Sequence, residues 1–173
     1  MEREVEHEAT KLGKAAVDVV VYGCTSGSFV LGPDWSEALA RKIEKAAGTP
    51  AVTTAGAMVA ALQALDVSRV ALVTPYVSVT NERLITFLEH FGIRVVTLQA
   101  FEVLDQFAHA SIAPEEIYSK AKSAARAGSP EGLFISCTQL KAVELVQYLE
   151  GDLGLPVATA TQAALWQALS VCG

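Results

Sequence analysis

Short apolar runs alternate along this chain with longer stretches of mixed polarity. Residues 17–23, VDVVVYG, read as a strand buried on both faces. Further strands are expected in PAVTT (50–54), RVALVTPY (69–76), RVVTLQAF (94–101), EGLFISC (131–137) and PVAT (156–159). Between them the apolar period lengthens to that of a helix. Helices are expected over 2–14, 34–47, an Ala-rich segment ending near Leu65, 79–91, 113–128, 139–154 and 160–169. Pro33-Asp34 and Pro114 mark helix starts, and Gly48 and Gly92 mark helix ends. Strand and helix in turn predict an α/β fold built on parallel sheets flanked by helices.

The pattern also repeats internally. VVVYGCTSGS and GLFISCTQL both run apolar strand, Cys-Thr, then helix. Downstream, PAVTTAGAMVAALQAL from Pro50 matches PVATATQAALWQAL from Pro156, each with a threonine at the end of the strand. Two related α/β lobes about a pseudo-two-fold axis are expected, one from residues 1–66 plus 159–173 and the other from 67–158. Such packing brings Cys24 and Cys137 to face each other across a cleft.

Composition narrows the classes of function. The chain has 173 residues, 51% hydrophobic and 18% charged, enough for a substantial core. A net charge of −6 argues against a nucleic-acid partner. No apolar stretch approaches the ~20 residues that span a bilayer. The opening MEREVEHEATKLGK is acidic and helical in pattern, unlike a signal peptide. No membrane association is expected, and the cytoplasm is the expected compartment. The three cysteines are odd in number and lack CxxC spacing, so neither a metal cluster nor a disulfide framework is indicated. There is no dinucleotide fingerprint and no P-loop.

The chemistry therefore falls to the thiols. Ligands of open α/β sheets bind beyond the carboxyl ends of strands, where both Cys-Thr pairs lie. A helix start nearby favours an anion, whether a substrate carboxylate or a thiolate. The helix after Cys24 is expected several residues further on. A single such cysteine is as well read as a buried structural thiol; two in matching contexts point to function. Cys172, beside the C-terminus, lacks this context and reads as a bystander. A phosphatase loop fits less well, since Val30 stands where its arginine would be. His7 and His90 fall on expected solvated faces. His109 is the one candidate base, and reads as structural rather than catalytic.

The segments VVVYGCTSGSF, VALVTPY, SCTQL and PVATATQAALWQAL resemble the aspartate/glutamate racemase superfamily, and within it the maleate cis-trans isomerase and arylmalonate decarboxylase branch. The resemblance spans nearly the whole chain. It implies two pseudo-symmetric α/β lobes with the site between them, and cofactor-independent chemistry on small carboxylic acids. Decarboxylases of this branch use one cysteine, so a cysteine in each half points to an isomerase or a racemase. By the same resemblance Cys24 matches the nucleophile and Cys137 the second cysteine, an acid/base. Thr25, Ser26 and Thr138 match positions that hold carboxylate oxygens, and Tyr76 a tyrosine that donates to the substrate. Gln106 stands where the family has an asparagine.

The family also opens with a further strand and loop bearing a substrate-binding asparagine, and this chain starts after them. Self-association into a homo-oligomer and weak activity are the expected consequences. The expected function is cis-trans isomerisation of a small unsaturated dicarboxylate, maleate to fumarate. The alternatives are racemisation of aspartate, glutamate or a hydantoin by the same two thiols, and a non-catalytic carboxylate-binding or scaffold protein.

Overall fold

The computed structural model describes residues 2–173. Its elements run α1 (Glu2–Lys14), β1 (Val20–Tyr22), α2 (Thr25–Phe29), α3 (Pro33–Ala47), β2 (Ala51–Thr53), α4 (Thr54–Ala64), β3 (Arg69–Thr74) and α5 (Ser78–His90). They continue with β4 (Arg94–Ala100), a 3-10 turn (Gln106–Ser111), α6 (Pro114–Ala125), β5 (Gly132–Ile135), a second 3-10 turn (Val143–Leu145), α7 (Val146–Leu153), β6 (Val157–Thr159) and α8 (Ala160–Cys172). This is a mixed α/β fold with parallel sheets flanked by helices.

Among the described residues there are two sheets. The larger has the order β4-β3-β5-β6, and all its pairings are parallel. Its central strands are covered on both faces, as parallel sheets require. Along β3, Val70 and Leu72 enter one core while Ala71 and Val73 enter another. β5 alternates likewise, Phe134 one way and Leu133 and Ile135 the other.

The smaller sheet is the parallel pair β1-β2. Here the expectation of a strand over 17–23 buried on both faces is corrected. Only Val20–Tyr22 is strand, and Val21 is 40% exposed. Val20 joins Ala9, Leu39 and Ile43 in a core beneath α1 and α3, which leaves the opposite face of the strand uncovered. α1 and α3 approach so closely that a Cβ at Gly13 would lie 2.1 Å from the Ala47 carbonyl oxygen, so only glycine fits there.

α4 and α8 pack against each other in the core that joins the two sheets. α4 is apolar around its circumference rather than striped, as a largely enclosed helix is, whereas α8 buries Ala160, Ala163, Ala164 and Ala168 and leaves Leu165, Trp166 and Leu169 exposed. The repeat noted in the sequence has a physical content here. Thr53 Oγ1 accepts from Gly56 N (3.2 Å) and Thr159 Oγ1 from Gln162 N (3.1 Å), so each repeat ends its strand on a threonine that caps the next helix. One further expectation fails. The helix anticipated from Gln139 begins only at Val146, because residues 139–142 turn back beneath Cys137 and Leu140 N bonds the Cys137 carbonyl. Among the described residues no helix is long and apolar enough to cross a membrane.

Candidate active site

Each thiol stands where a strand runs out. After β1 the chain passes Gly23, and Cys24 is the N-cap residue of α2, with extended backbone (φ −106°, ψ 106°) and an exposed side chain. The helix thus starts at once, not several residues later as the sequence suggested. Its single turn is fixed from below: Ser28 Oγ donates to the Thr25 carbonyl (2.8 Å) and accepts from Ala55 N at the start of α4 (3.0 Å). Gly27 lets this turn sit against the thiol. A Cβ there would lie 2.7 Å from the Tyr22 hydroxyl and 3.1 Å from Cys24 Sγ. Ser26 Oγ is 3.9 Å from Cys24 Sγ. Thr25 is buried, and its side chain faces the Tyr76 hydroxyl.

At the end of β5, Cys137 takes φ +99°, a region that side chains other than glycine rarely occupy. Such strain persists only where the surroundings enforce it. The Cys137 side chain is part-buried, and burial pushes its thiol above the ordinary range. The amides of Gln139 and Leu140 and the Tyr76 hydroxyl, all aimed at Sγ, act against that rise, while the charge of a Cys24 thiolate adds to it.

Tyr76, just beyond β3, is 5% exposed. Its ring meets Phe29 edge-on at 6.0 Å and His109 at 6.1 Å. Asn81 Nδ2 donates to the Tyr76 carbonyl (2.8 Å), and Thr74 Oγ1 donates to Asn81 Oδ1 (2.6 Å). Ser136 Oγ donates to the Tyr76 hydroxyl at 3.5 Å. Burial, followed by the charge of a Cys137 thiolate, holds the phenol well above its ordinary 10.0, so it is a proton donor at neutral pH.

The turns that follow β1 and β5 meet beside the thiols. Thr138 Oγ1 donates to the Gly23 carbonyl across 2.8 Å, joining residues 115 apart in sequence. Cys24 and Cys137 are the chain neighbours of that bond, so the structure brings together Cys24, Thr25, Ser26, Tyr76, Cys137 and Thr138. The Thr138 hydroxyl proton is engaged in the bond, so this residue ties the two turns together.

Gln106 is placed differently, exposed at the head of the 3-10 turn. His109, one turn on, is the residue of that segment that reaches Cys137. It is 7% exposed, with Nε2 at 3.1 Å from the Val103 carbonyl and Nδ1 at 3.8 Å from Cys137 Sγ. Tyr22 escaped the sequence reading altogether. It lies two residues before Cys24, on the same side of an extended chain, and that alternation was the available signal. Burial first and the Cys24 charge second raise its phenol. Cys172 is exposed at the end of α8. A separate cavity of about 290 Å³, lined by Val52, Gly56, Phe87 and Gln167 among others, includes neither thiol.

A model of the arylmalonate decarboxylase family matches residues 1–173. Maleate isomerase of Nocardia farcinica is 31% identical over 175 residues, covering 98% of this chain and 69% of that protein. Arylmalonate decarboxylase of Bordetella bronchiseptica is 32% identical over 178 residues, covering 100% of this chain and 72% of that protein. Among solved structures, a cysteine-to-serine variant of the Nocardia farcinica maleate cis-trans isomerase, with a covalently bound succinylcysteine intermediate, superposes with a TM-score of 0.89 at 28% identity, over 99% of this chain and 72% of that one. A liganded double variant of arylmalonate decarboxylase reaches 0.95 at 29% identity, over 99% and 74%.

Proposed function

The chain belongs to the arylmalonate decarboxylase family of enzymes, and from that premise we propose that it isomerises a small cis-unsaturated dicarboxylate of the maleate type through a Cys24 adduct. The observation that carries the reading is the pairing of two thiols, one from each sheet, about the Thr138–Gly23 bond. A decarboxylase of the branch needs only one. The covalent succinylcysteine in a related isomerase supports the same chemistry.

The double bond must lose its π character before its ends can rotate. Cys24 Sγ, exposed at the mouth of the site, adds as thiolate to C2. The C–S bond forms, and the π pair moves to C3 and into its carboxylate. Donors already aimed at that position stabilise the developing charge. The buried Thr25 Oγ1 and the Tyr76 hydroxyl, whose proton burial holds in place, are the donors proposed for this site, and Ser26 Oγ borders the reacting sulfur. Rotation about C2–C3 and return of the electron pair expel the thiolate and release the trans isomer. If C3 is protonated on the way, Cys137 supplies and removes that proton.

The reading is tested by proton NMR of maleate incubated with the protein in deuterated water. Fumarate is the expected product. Absence of fumarate together with α-deuteration of aspartate, glutamate or a hydantoin would replace the proposal with a racemase. Saturable binding of dicarboxylates with no turnover would reduce the site to a binding module.

A further inference from the structure

Cys137 is not alone at its end of the cleft. The 3-10 turn Gln106–Ser111 inserts His109 behind it, and the ring is held at both nitrogens. Nε2 faces the Val103 carbonyl at 3.1 Å. A carbonyl only accepts, so Nε2 carries the ring proton and Nδ1 presents a lone pair. That lone pair faces Cys137 Sγ at 3.8 Å, within reach of an S–H donor. The mounting is hydrogen-bonded on both sides of the ring. Val103 N bonds the Pro75 carbonyl (2.9 Å), beside Tyr76, and Asp105 Oδ1 caps the turn at Phe107 N (2.9 Å). Cys137 itself is kept in a backbone conformation foreign to cysteine, at φ +99°. A buried histidine that served packing alone would need only the Val103 contact.

We infer that His109 is the positioning residue that ionises Cys137, accepting its proton on Nδ1 so that the second thiol works as a base. In that step the S–H bond breaks, an Nδ1–H bond forms and the electron pair remains on sulfur, with no change in total charge. The thiolate is left beside an imidazolium rather than alone in a part-buried site, which is the arrangement that activates cysteines next to histidines elsewhere. The other titratable groups facing the pair are Tyr76 and Cys24 across the cleft, and on the turn itself Asp105, already engaged by Phe107 N. The inference rests on the reading of Cys137 as an acid/base. In the isomerase it supplies the group that strips the proton from C3 before Cys24 departs.

The test needs no turnover, so it can fail or succeed apart from the isomerase reading. In a Cys24→Ser, Cys172→Ser background Cys137 is the one remaining thiol. Its alkylation by iodoacetamide is followed against pH with His109 in place and with His109→Gln. Glutamine keeps a nitrogen donor for the Val103 carbonyl but cannot take a proton. The expected result is alkylation slowed about tenfold at neutral pH, with the profile displaced to higher pH and the melting temperature unchanged. Superimposable profiles would overturn the inference and leave His109 as an anchor of the turn. Should the glutamine variant not fold, the native ring answers directly by nitrogen-15 NMR. An Nε2-protonated ring whose Nδ1 resonance moves on Cys137→Ser upholds the pairing; an Nδ1-protonated ring, or one indifferent to that change, ends it.

Discussion

Thr138 Oγ1 donates to the Gly23 carbonyl at 2.8 Å, and this one bond fastens the turn that follows β5 to the turn that follows β1. It lies one residue from each thiol. Thr138→Val keeps the shape and removes the donor. A neutral hydrogen bond of this kind contributes about 0.5–1.5 kcal/mol net, which for a domain of this size lowers Tm by roughly 2–5 °C. Turnover is expected to fall further than stability, by about tenfold, because the relative placement of the thiols loosens. Thermal melts and kcat measured on the same preparation check the contrast. An equal loss in both would make the bond merely structural.

Gly27 tests the other side of the cleft. Alanine there would place its Cβ 2.7 Å from the Tyr22 hydroxyl and 3.1 Å from Cys24 Sγ. Both atoms end side chains that can move, so the fold survives, with Tm expected within a few degrees of the native value. The cost falls on the sulfur, which must give way from its place over the α2 turn. Gly27→Ala should therefore lower kcat/KM for maleate by roughly tenfold or more, in steady-state assays with folding verified by circular dichroism.

The sequence reading and the structure part company in instructive places. Strand and helix alternation, and with it the parallel sheets, was legible because each buried strand carries its own uninterrupted apolar run. The threonine at the end of each repeat was visible as a pattern; its capping role needed coordinates. VDVVVYG misled because apolar content does not reveal whether the second face is covered, and Val21 stands exposed. The short helix at Thr25 was missed since TSGSF has no helical period, and it is held instead by Ser28 bonding to Thr25 and Ala55. Cys24 and Cys137 were found through the repeat. His109 was set aside because nothing local links it to a cysteine 28 residues away, and only the turn that carries it makes the contact.

Tyr76 and Cys137 make a prediction about alkaline stability. Burial raises both above their ordinary values of 10.0 and 9.0, so the folded chain holds these protons more tightly than the unfolded one. The associated stability is complete below the unfolded values and is lost as pH climbs towards the raised ones. Native Tm is therefore expected to decline from about pH 9 upward. Tyr76→Phe removes the larger contributor, so its Tm should fall less steeply over the same range, even if it starts lower for loss of the Ser136 contact. Its turnover should drop by about 10²–10³, the usual effect of deleting one preorganised donor. Parallel slopes for the two proteins would show that other groups govern the alkaline limb.

The thiols themselves separate the nucleophile from the proton carrier. Cys24 is exposed on a helix start, whereas Cys137 is part-buried. Limiting iodoacetamide at neutral pH should thus label Cys24 well before Cys137, and mass spectrometry of the peptides gives the order, with exposed Cys172 as the internal reference for an unassisted thiol. The variants then divide the reaction. Cys24→Ala leaves no sulfur to add to the alkene, and turnover of maleate should vanish. Cys137→Ser should be slowed severely yet still accumulate a protein adduct heavier by one maleic acid, with water supplying the proton to C3, because addition at Cys24 does not need the second thiol while clean elimination does. An adduct formed on Cys137 in the Cys24→Ala protein would reverse the two roles, and full activity of that variant would remove covalent addition at Cys24 from the mechanism.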